Sequence, residues 1–183
     1  WGQPETFYHT PEEKFIDPVR ELARQGADIL VNLSASPFEV DKAARRRNLI
    51  AAHVLQTGLP FVFVNQIGGH DDLVFDGHSF VMDNRGQVRH QSAGFRTDLD
   101  LVDLDKLPPA LDPRDPPREY QLLEALTLGL KDYMRRCGFT DCVLGLSGGI
   151  DSAVACYIAA RAVGPQNVHG ILMHSRYSSQ HSI

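Results

Sequence analysis

The 183-residue chain is predicted to be an α/β protein built in two segments. Three observations predict it. Short apolar runs alternate with stretches of helical periodicity, a glycine-rich turn joins one such run directly to a helix, and a proline-dense stretch separates two patterns of this kind. In the first segment (1–105), "EEKFIDPVRELARQGA" has helical spacing with a break at Pro18 and a stop at Gly26. "DILVNL" reads as a buried strand, "DKAARRRNLIAAHVLQTG" as a long helix ended by Gly58, and "LPFVFVNQ" as a second strand. "HSFVMD" and "QVRHQS" read as a hairpin turning at Asn84-Arg85-Gly86. The connector "KLPPALDPRDPPR" (106–118) holds five prolines, which block regular helix and central strand, so the domain boundary is placed inside it. The second segment (119–183) opens with a helix whose apolar face is Leu122, Leu123, Leu126, Leu130 and Met134, closed by Gly138. Strand "CVLGL", the glycine turn, a helix through Val163 and strand "VHGILM" follow, a βαβ unit of a parallel sheet.

Composition excludes several function classes. With 18 Lys+Arg against 23 Asp+Glu, the net charge of −5 leaves no broad basic face for nucleic acid. The one dense basic run, Arg45-Arg46-Arg47, lies in a helical pattern and reads as a solvated helix face. Cys137, Cys142 and Cys156 form no CxxC pair, which suits reduced thiols in a cytoplasmic protein. No apolar run reaches the length of a membrane span. None of the eight histidines makes an HxxH or HExxH pattern, so no zinc site is expected. The chain starts at Trp1 and stops at Ile183 soon after a second strand; both ends read as cut, and an upstream targeting segment stays open.

The chemistry concentrates in "GLSGGIDS" (145–152). A strand-to-helix turn cradles an anion through backbone N–H groups and the helix N-terminus. Gly148 and Gly149 let consecutive N–H groups approach closely, and Ser147 and Ser152 add hydroxyl donors. Asp151 cannot bind phosphate directly, because two anions repel; it suits a ligand for Mg²⁺ shared with phosphate oxygens. The turn lacks the lysine that reaches a γ-phosphate, so it suits a pyrophosphate held as a unit. The plainer alternative is an ordinary short loop in which Asp151 or Ser152 caps the helix.

"LSGGIDS" resembles the PP-loop of the N-type ATP pyrophosphatases, which cleave ATP between the α- and β-phosphates and transfer AMP to a substrate oxygen. "GILMHSRYSSQHSI" is similar to the stretch after the second strand in NAD synthetases, with His174 where a proline is usual. In the first segment, "NLSASPFEVDKAARRR" and "VFVNQIGGHDDLVFDGHSFVMDNRG" resemble the second half of a nitrilase-type carbon–nitrogen hydrolase. The combination resembles the glutamine-dependent NAD synthetase family over most of the chain, apart from the linker and "QPETFYHTPEEK". The resemblance implies a partial nitrilase-like α-β-β-α sandwich followed by the first βαβ of an adenine-nucleotide α-hydrolase-like sheet.

It further implies a ligase amidating deamido-NAD to NAD through an adenylylated intermediate, with ATP, Mg²⁺ and ammonia released from L-glutamine. The ATP-binding residues carried over are Gly145, Leu146, Ser147, Gly148, Gly149, Ile150, Asp151 and Ser152, with Asp151 on the metal. Ser36 and Lys42 match the positions that hold the amino-acid end of glutamine; read without the family, Lys42 is an exposed residue near a helix start. The nitrilase triad of Glu, Lys and Cys is expected upstream of Trp1, which resembles the tryptophan following the catalytic cysteine. Small-molecule substrates, no nucleic acid, no membrane and a homo-oligomer of the complete enzyme are the partners implied. The alternatives are another PP-loop ligase, such as a GMP synthetase relative, and an inactive nucleotide-binding fragment.

Overall fold

The computed structural model describes residues 16–172. Trp1, the stretch 3–14, and His174, the SRYSS run and His181 lie outside the described residues. The elements are α1 (Pro18–Arg24), β1 (Leu30–Ser34), α2 (Lys42–Thr57), β2 (Phe61–Asn65), β3 (Ile67–His70) and β4 (Leu73–Asp76). They continue with β5 (Phe80–Met82), β6 (Val88–Gln91), α3 (Arg118–Cys137), β7 (Cys142–Leu146), α4 (Ile150–Val163) and β8 (Val168–Leu172), the last after a 3₁₀ turn.

Pro18 does not break α1; it opens it. Asp17 caps the helix by accepting from the Val19 and Arg20 amides at 3.0 and 3.3 Å. Proline is favoured at the first helical position because its missing N–H would be unpaired there anyway. The first-segment sheet has the order β1-β2-β5-β6, parallel between β1 and β2 and antiparallel thereafter. Val19 of α1 and Ile50 and Val54 of α2 pack against Leu30, Phe61, Phe63, Phe80, Met82 and Val88 on one sheet face. Each fully buried side chain of this kind contributes about 1.5–3 kcal/mol. Val31, Leu33 and Val64 alternate onto the opposite, exposed face. The β5–β6 hairpin forms as the turn residues predict.

The β3–β4 hairpin, paired from Ile67↔Asp76 to His70↔Leu73, has no counterpart among the elements that the sequence predicts. Gly68 and Gly69 lower the strand propensity there, but they serve a tertiary contact. A Cβ on Gly69 would lie 3.0 Å from Gly129 Cα and 3.3 Å from the Gly129 carbonyl oxygen, both helix backbone of α3. Asp132, one turn further along, accepts from the Gly69 amide at 2.8 Å. Gly69→Ala should therefore push α3 off the hairpin and lower stability by about 1–3 kcal/mol; a urea-unfolding midpoint checks this, and an unshifted midpoint would mean the crossing has slack.

That crossing also explains why the buried face of α3 differs from the predicted leucine stripe. Gln121, Ala125, Asp132 and Met134 are buried, while Leu122 and Leu126 stay 45% and 54% exposed. The helix meets the β3–β4 hairpin on one side and α4 on another, where Arg161 pairs with Glu124. The proline-rich stretch is fastened along the first segment: Leu111 N–H donates to the Val88 carbonyl at 2.7 Å, and Arg47 holds Asp115 at 2.6 Å. A domain boundary within 106–118 stays a proposal on these contacts.

The solvated-face reading of Arg45-Arg46-Arg47 is corrected for two of its three residues. Arg45 is exposed, but Arg46 and Arg47 are buried against Asp76 and Asp115. They lie on the same helical stripe as Ala43, Ile50 and Val54, so the helix period turns them inward and each charge needs a partner there.

Candidate functional site

The glycine turn leaves the carboxyl end of β7, which pairs in parallel with β8 from Cys142↔Val168 to Leu146↔Leu172. Of the eight residues carried over from the sequence, Gly145 and Leu146 end the strand, Ser147, Gly148 and Gly149 form the turn, and Ile150, Asp151 and Ser152 begin α4. Gly148 has φ +76°, the left-handed region that a side chain makes costly. Gly149 is the N-cap residue and provides no side chain to close the helix start.

Asp151 and Ser152 are therefore not the N-cap, and the capping alternative weighed from the sequence is corrected on this point. Asp151 stands exposed in the first turn of α4. Ser152 Oγ instead donates to the Gly149 carbonyl at 2.9 Å and accepts from Ser147 N–H at 3.3 Å. Gly149 N–H reaches Ser147 Oγ only at a long 3.4 Å. An anionic oxygen makes a shorter, stronger bond to such a donor than a hydroxyl does, so the turn can exchange this contact for a phosphate oxygen. Among the described residues no three His, Cys, Asp or Glu side chains cluster as a metal site. Mg²⁺ needs fewer, since one or two carboxylates together with substrate phosphates hold it. One exposed carboxylate beside two hydroxyls and an uncapped helix start fits that demand.

The second candidate site lies at the carboxyl ends of the parallel strands β1 and β2. Ser36 follows β1; its amide donates to Asn65 Oδ1 at 2.8 Å, and Asn65 Nδ2 returns a bond to the Ser36 carbonyl at 3.2 Å. Phe38 N–H donates to the Val74 carbonyl at 2.7 Å, pinning the loop onto β4. Lys42 opens α2 and contacts Glu39 Oε1 at 2.9 Å, while Arg45 holds the other oxygen at 2.7 Å. Those two cations keep the Glu39 carboxyl below its usual range. An ammonium has three donors, so Lys42 can keep Glu39 and still bind a ligand carboxylate.

Sequence reasoning missed the polar cluster behind Ser36. Arg46 forks onto Asp76 at 2.7 and 3.0 Å, and Asn65 also reaches Asp76 at 3.4 Å. His78 lies beside this cluster, and burial holds its imidazole below its usual value against the pull of Asp76 and Asp115. The readable signal was the spacing that sets Arg46 four residues before Ile50 on the buried stripe. Between the hairpin, α3 and α4 lies an open cavity of about 580 Å³ lined by Phe38, Val74, Leu122, Leu126 and Ile158, with Asp72 the one ionisable group among the described residues that line it. Its described walls are mainly apolar.

A mixed α/β layer with a polar cluster at its strand ends is joined in this chain to a parallel strand–glycine turn–helix–strand unit. The chain belongs to the carbon–nitrogen hydrolase family, whose model matches residues 11–106, and residues 122–183 match the NAD synthase family. It is 42% identical to the glutamine-dependent NAD(+) synthetase of Synechocystis sp., over 100% of this chain and 32% of that protein. It is likewise 42% identical to that of Rhodobacter capsulatus, over 91% of this chain and 31% of that protein. Among solved structures, glutamine-dependent NAD+ synthetase from Acinetobacter baumannii in complex with adenosine diphosphate superposes with a TM-score of 0.79 at 36% identity. That match covers 90% of this chain and 32% of the other. The chain thus spans about a third of the length of the curated relatives it matches. Among the described residues no helix is long and apolar enough to cross a membrane.

Proposed function

We propose that this chain is the junction of a glutamine-dependent NAD(+) synthetase, a ligase that turns deamido-NAD, ATP and glutamine into NAD, AMP, pyrophosphate and glutamate. The observation that carries the reading is the occurrence, in one chain, of a carbon–nitrogen hydrolase segment and an NAD synthase segment with its glycine turn at the end of β7. A GMP synthetase relative would carry a different glutaminase, and the first segment argues against it. Residues Gly145 to Ser152 form the proposed ATP site. Its serine hydroxyls and turn amides hold the pyrophosphate end while the nicotinate carboxylate attacks the α-phosphorus. Ammonia then displaces AMP from the mixed anhydride, forming the amide C–N bond. Asp151 would hold Mg²⁺, which when bound would supply positive charge against the departing pyrophosphate. None of the three cysteines lies in the first segment, so none is assigned as the thiol that opens glutamine. The absence of a disulfide among Cys137, Cys142 and Cys156 is compatible with the cytoplasmic setting proposed for the enzyme.

Ser36 and Lys42 hold the backbone end of glutamine in this reading, Lys42 pairing with the α-carboxylate. Lys42→Ala in the full-length protein should raise the glutamine requirement roughly ten- to a hundredfold, the worth of a lost charge-assisted hydrogen bond. Synthesis with added ammonia should persist, because that half-reaction bypasses glutamine. Parallel assays of NAD formation with glutamine and with ammonium chloride check this; equal loss of both would place Lys42 in the fold instead. The function itself is tested by whether NAD forms from deamido-NAD only when ATP is present, with AMP and pyrophosphate as products. Release of ADP and phosphate would overturn the assignment.

A further inference from the structure

We propose that Arg46, clamped by Asp76, is a positioning residue that sets the Ser36 hydroxyl for its ligand; the inference rests on the reading of Ser36 as part of a glutamine pocket. Arg46 projects from α2 one turn beyond Lys42 and is buried. Its guanidinium divides its donors between two tasks. Two go to the carboxylate of Asp76, which is 1% exposed, at 2.7 and 3.0 Å. The others go to the turn after β1: Nε to Ser36 Oγ at 3.1 Å, and one terminal nitrogen also to the Ser36 and Pro37 carbonyls at 3.2 and 3.3 Å.

The consequence for Ser36 follows from counting donors. A guanidinium N–H can only donate, so Ser36 Oγ accepts in this contact. A hydroxyl has one proton, and with one lone pair occupied by Arg46 that proton is directed away from the guanidinium. The Ser36 hydroxyl is therefore presented as a donor, the role a ligand carboxylate needs, and a cation behind the oxygen makes it a better one. The same fork holds the Ser36–Pro37 backbone, fixing where the hydroxyl sits. Lys42 starts the same helix one turn earlier, so α2 carries both the direct carboxylate partner and the residue that aims the hydroxyl.

A lysine at position 46 keeps the charge and loses the fork, so it cannot hold Asp76, Ser36 Oγ and two carbonyls together. In the full-length protein, Arg46→Lys should raise the glutamine KM about tenfold, with a smaller change in glutaminase kcat. Ammonia-dependent NAD synthesis should stay within about twofold, the margin of independent sites. The decisive measurement is a double-mutant cycle. Ser36→Ala should raise the glutamine KM by itself, and on that background Arg46→Lys should add less than about twofold, because the group it acts through is gone. Asp76→Asn, which loosens the clamp and keeps the volume, should shift the glutamine KM in the same direction as Arg46→Lys. If Ser36→Ala raises KM while Arg46→Lys leaves it unchanged, or if the two effects multiply in full, the positioning role is wrong and the pocket stands. An unchanged KM in Ser36→Ala overturns the pocket reading and this inference with it. Equal loss of glutamine- and ammonia-dependent synthesis in both Arg46→Lys and Asp76→Asn would assign the pair to the fold alone.

Discussion

Asp151→Asn is expected to leave the protein folded and to slow pyrophosphate release from ATP on the order of a hundred- to a thousandfold. The structure separates the two roles that a carboxylate at this position could have. As a helix cap, aspartate and asparagine are nearly equivalent, and Asp151 makes no capping bond in any case, since Gly149 is the N-cap. Removing its charge from the first turn of α4 costs only the weak attraction to the helix dipole, about 0.3–1 kcal/mol. As a metal ligand, the same substitution removes the charge that holds Mg²⁺ beside the leaving pyrophosphate. The measurement is ATP-to-pyrophosphate turnover with deamido-NAD and ammonium across a Mg²⁺ titration, alongside a melting curve. A higher Mg²⁺ requirement with an unchanged melting temperature is the expected pattern; full turnover at ordinary Mg²⁺ would remove Asp151 from the metal site.

Asp76→Ala is expected to lower folding stability by about 3–5 kcal/mol, because it strands a buried cation without its partner. Asp76 and Arg46 are 1% and 8% exposed, so water cannot take over the pairing. Replacing both, as Asp76→Leu with Arg46→Met, should recover most of that loss, since an apolar pair avoids the cost of desolvating two charges. Denaturant unfolding of the three proteins checks the order. A single Asp76→Ala as stable as the parent would mean that Arg46 finds enough acceptors in the Ser36 and Pro37 carbonyls. The recovered double variant should still use glutamine poorly, because the donors that hold Ser36 are gone. Stability and glutamine use would then move independently.

Local signals carried the regular elements well. The β7–turn–α4–β8 unit was readable because an apolar run, two glycines and a helical period follow one another without interruption, and short-range sterics dictate each step. The nucleotide-binding candidate was readable for the same reason, since all its residues lie within eight consecutive positions. Ser36 and Lys42 are proposed through their likeness to a known pattern and through no chemistry that their neighbours announce. The long helix α2 ended at Gly58 as its periodicity requires.

Contacts between distant residues decided the rest. Arg46 and Asp76 are 30 positions apart, and Asp132 and Gly69 are 63 apart. A run of three arginines suggests solvent, because an unpaired buried charge is prohibitive; only the fold reveals that two of the three have carboxylates waiting. Gly68 and Gly69 weaken a strand by propensity, and only the approach of Gly129 shows why side chains are excluded there. The sequence by itself determined the α/β character and the glycine turn between β7 and α4, because backbone geometry and hydrophobic period act over a few residues. Tertiary structure alone decided that the proline-rich stretch is fastened down, that α3 sits on the β3–β4 hairpin, and that Arg46 faces Ser36. Those outcomes depend on pairing buried donors with acceptors far away in the chain, and that requirement has no period to read.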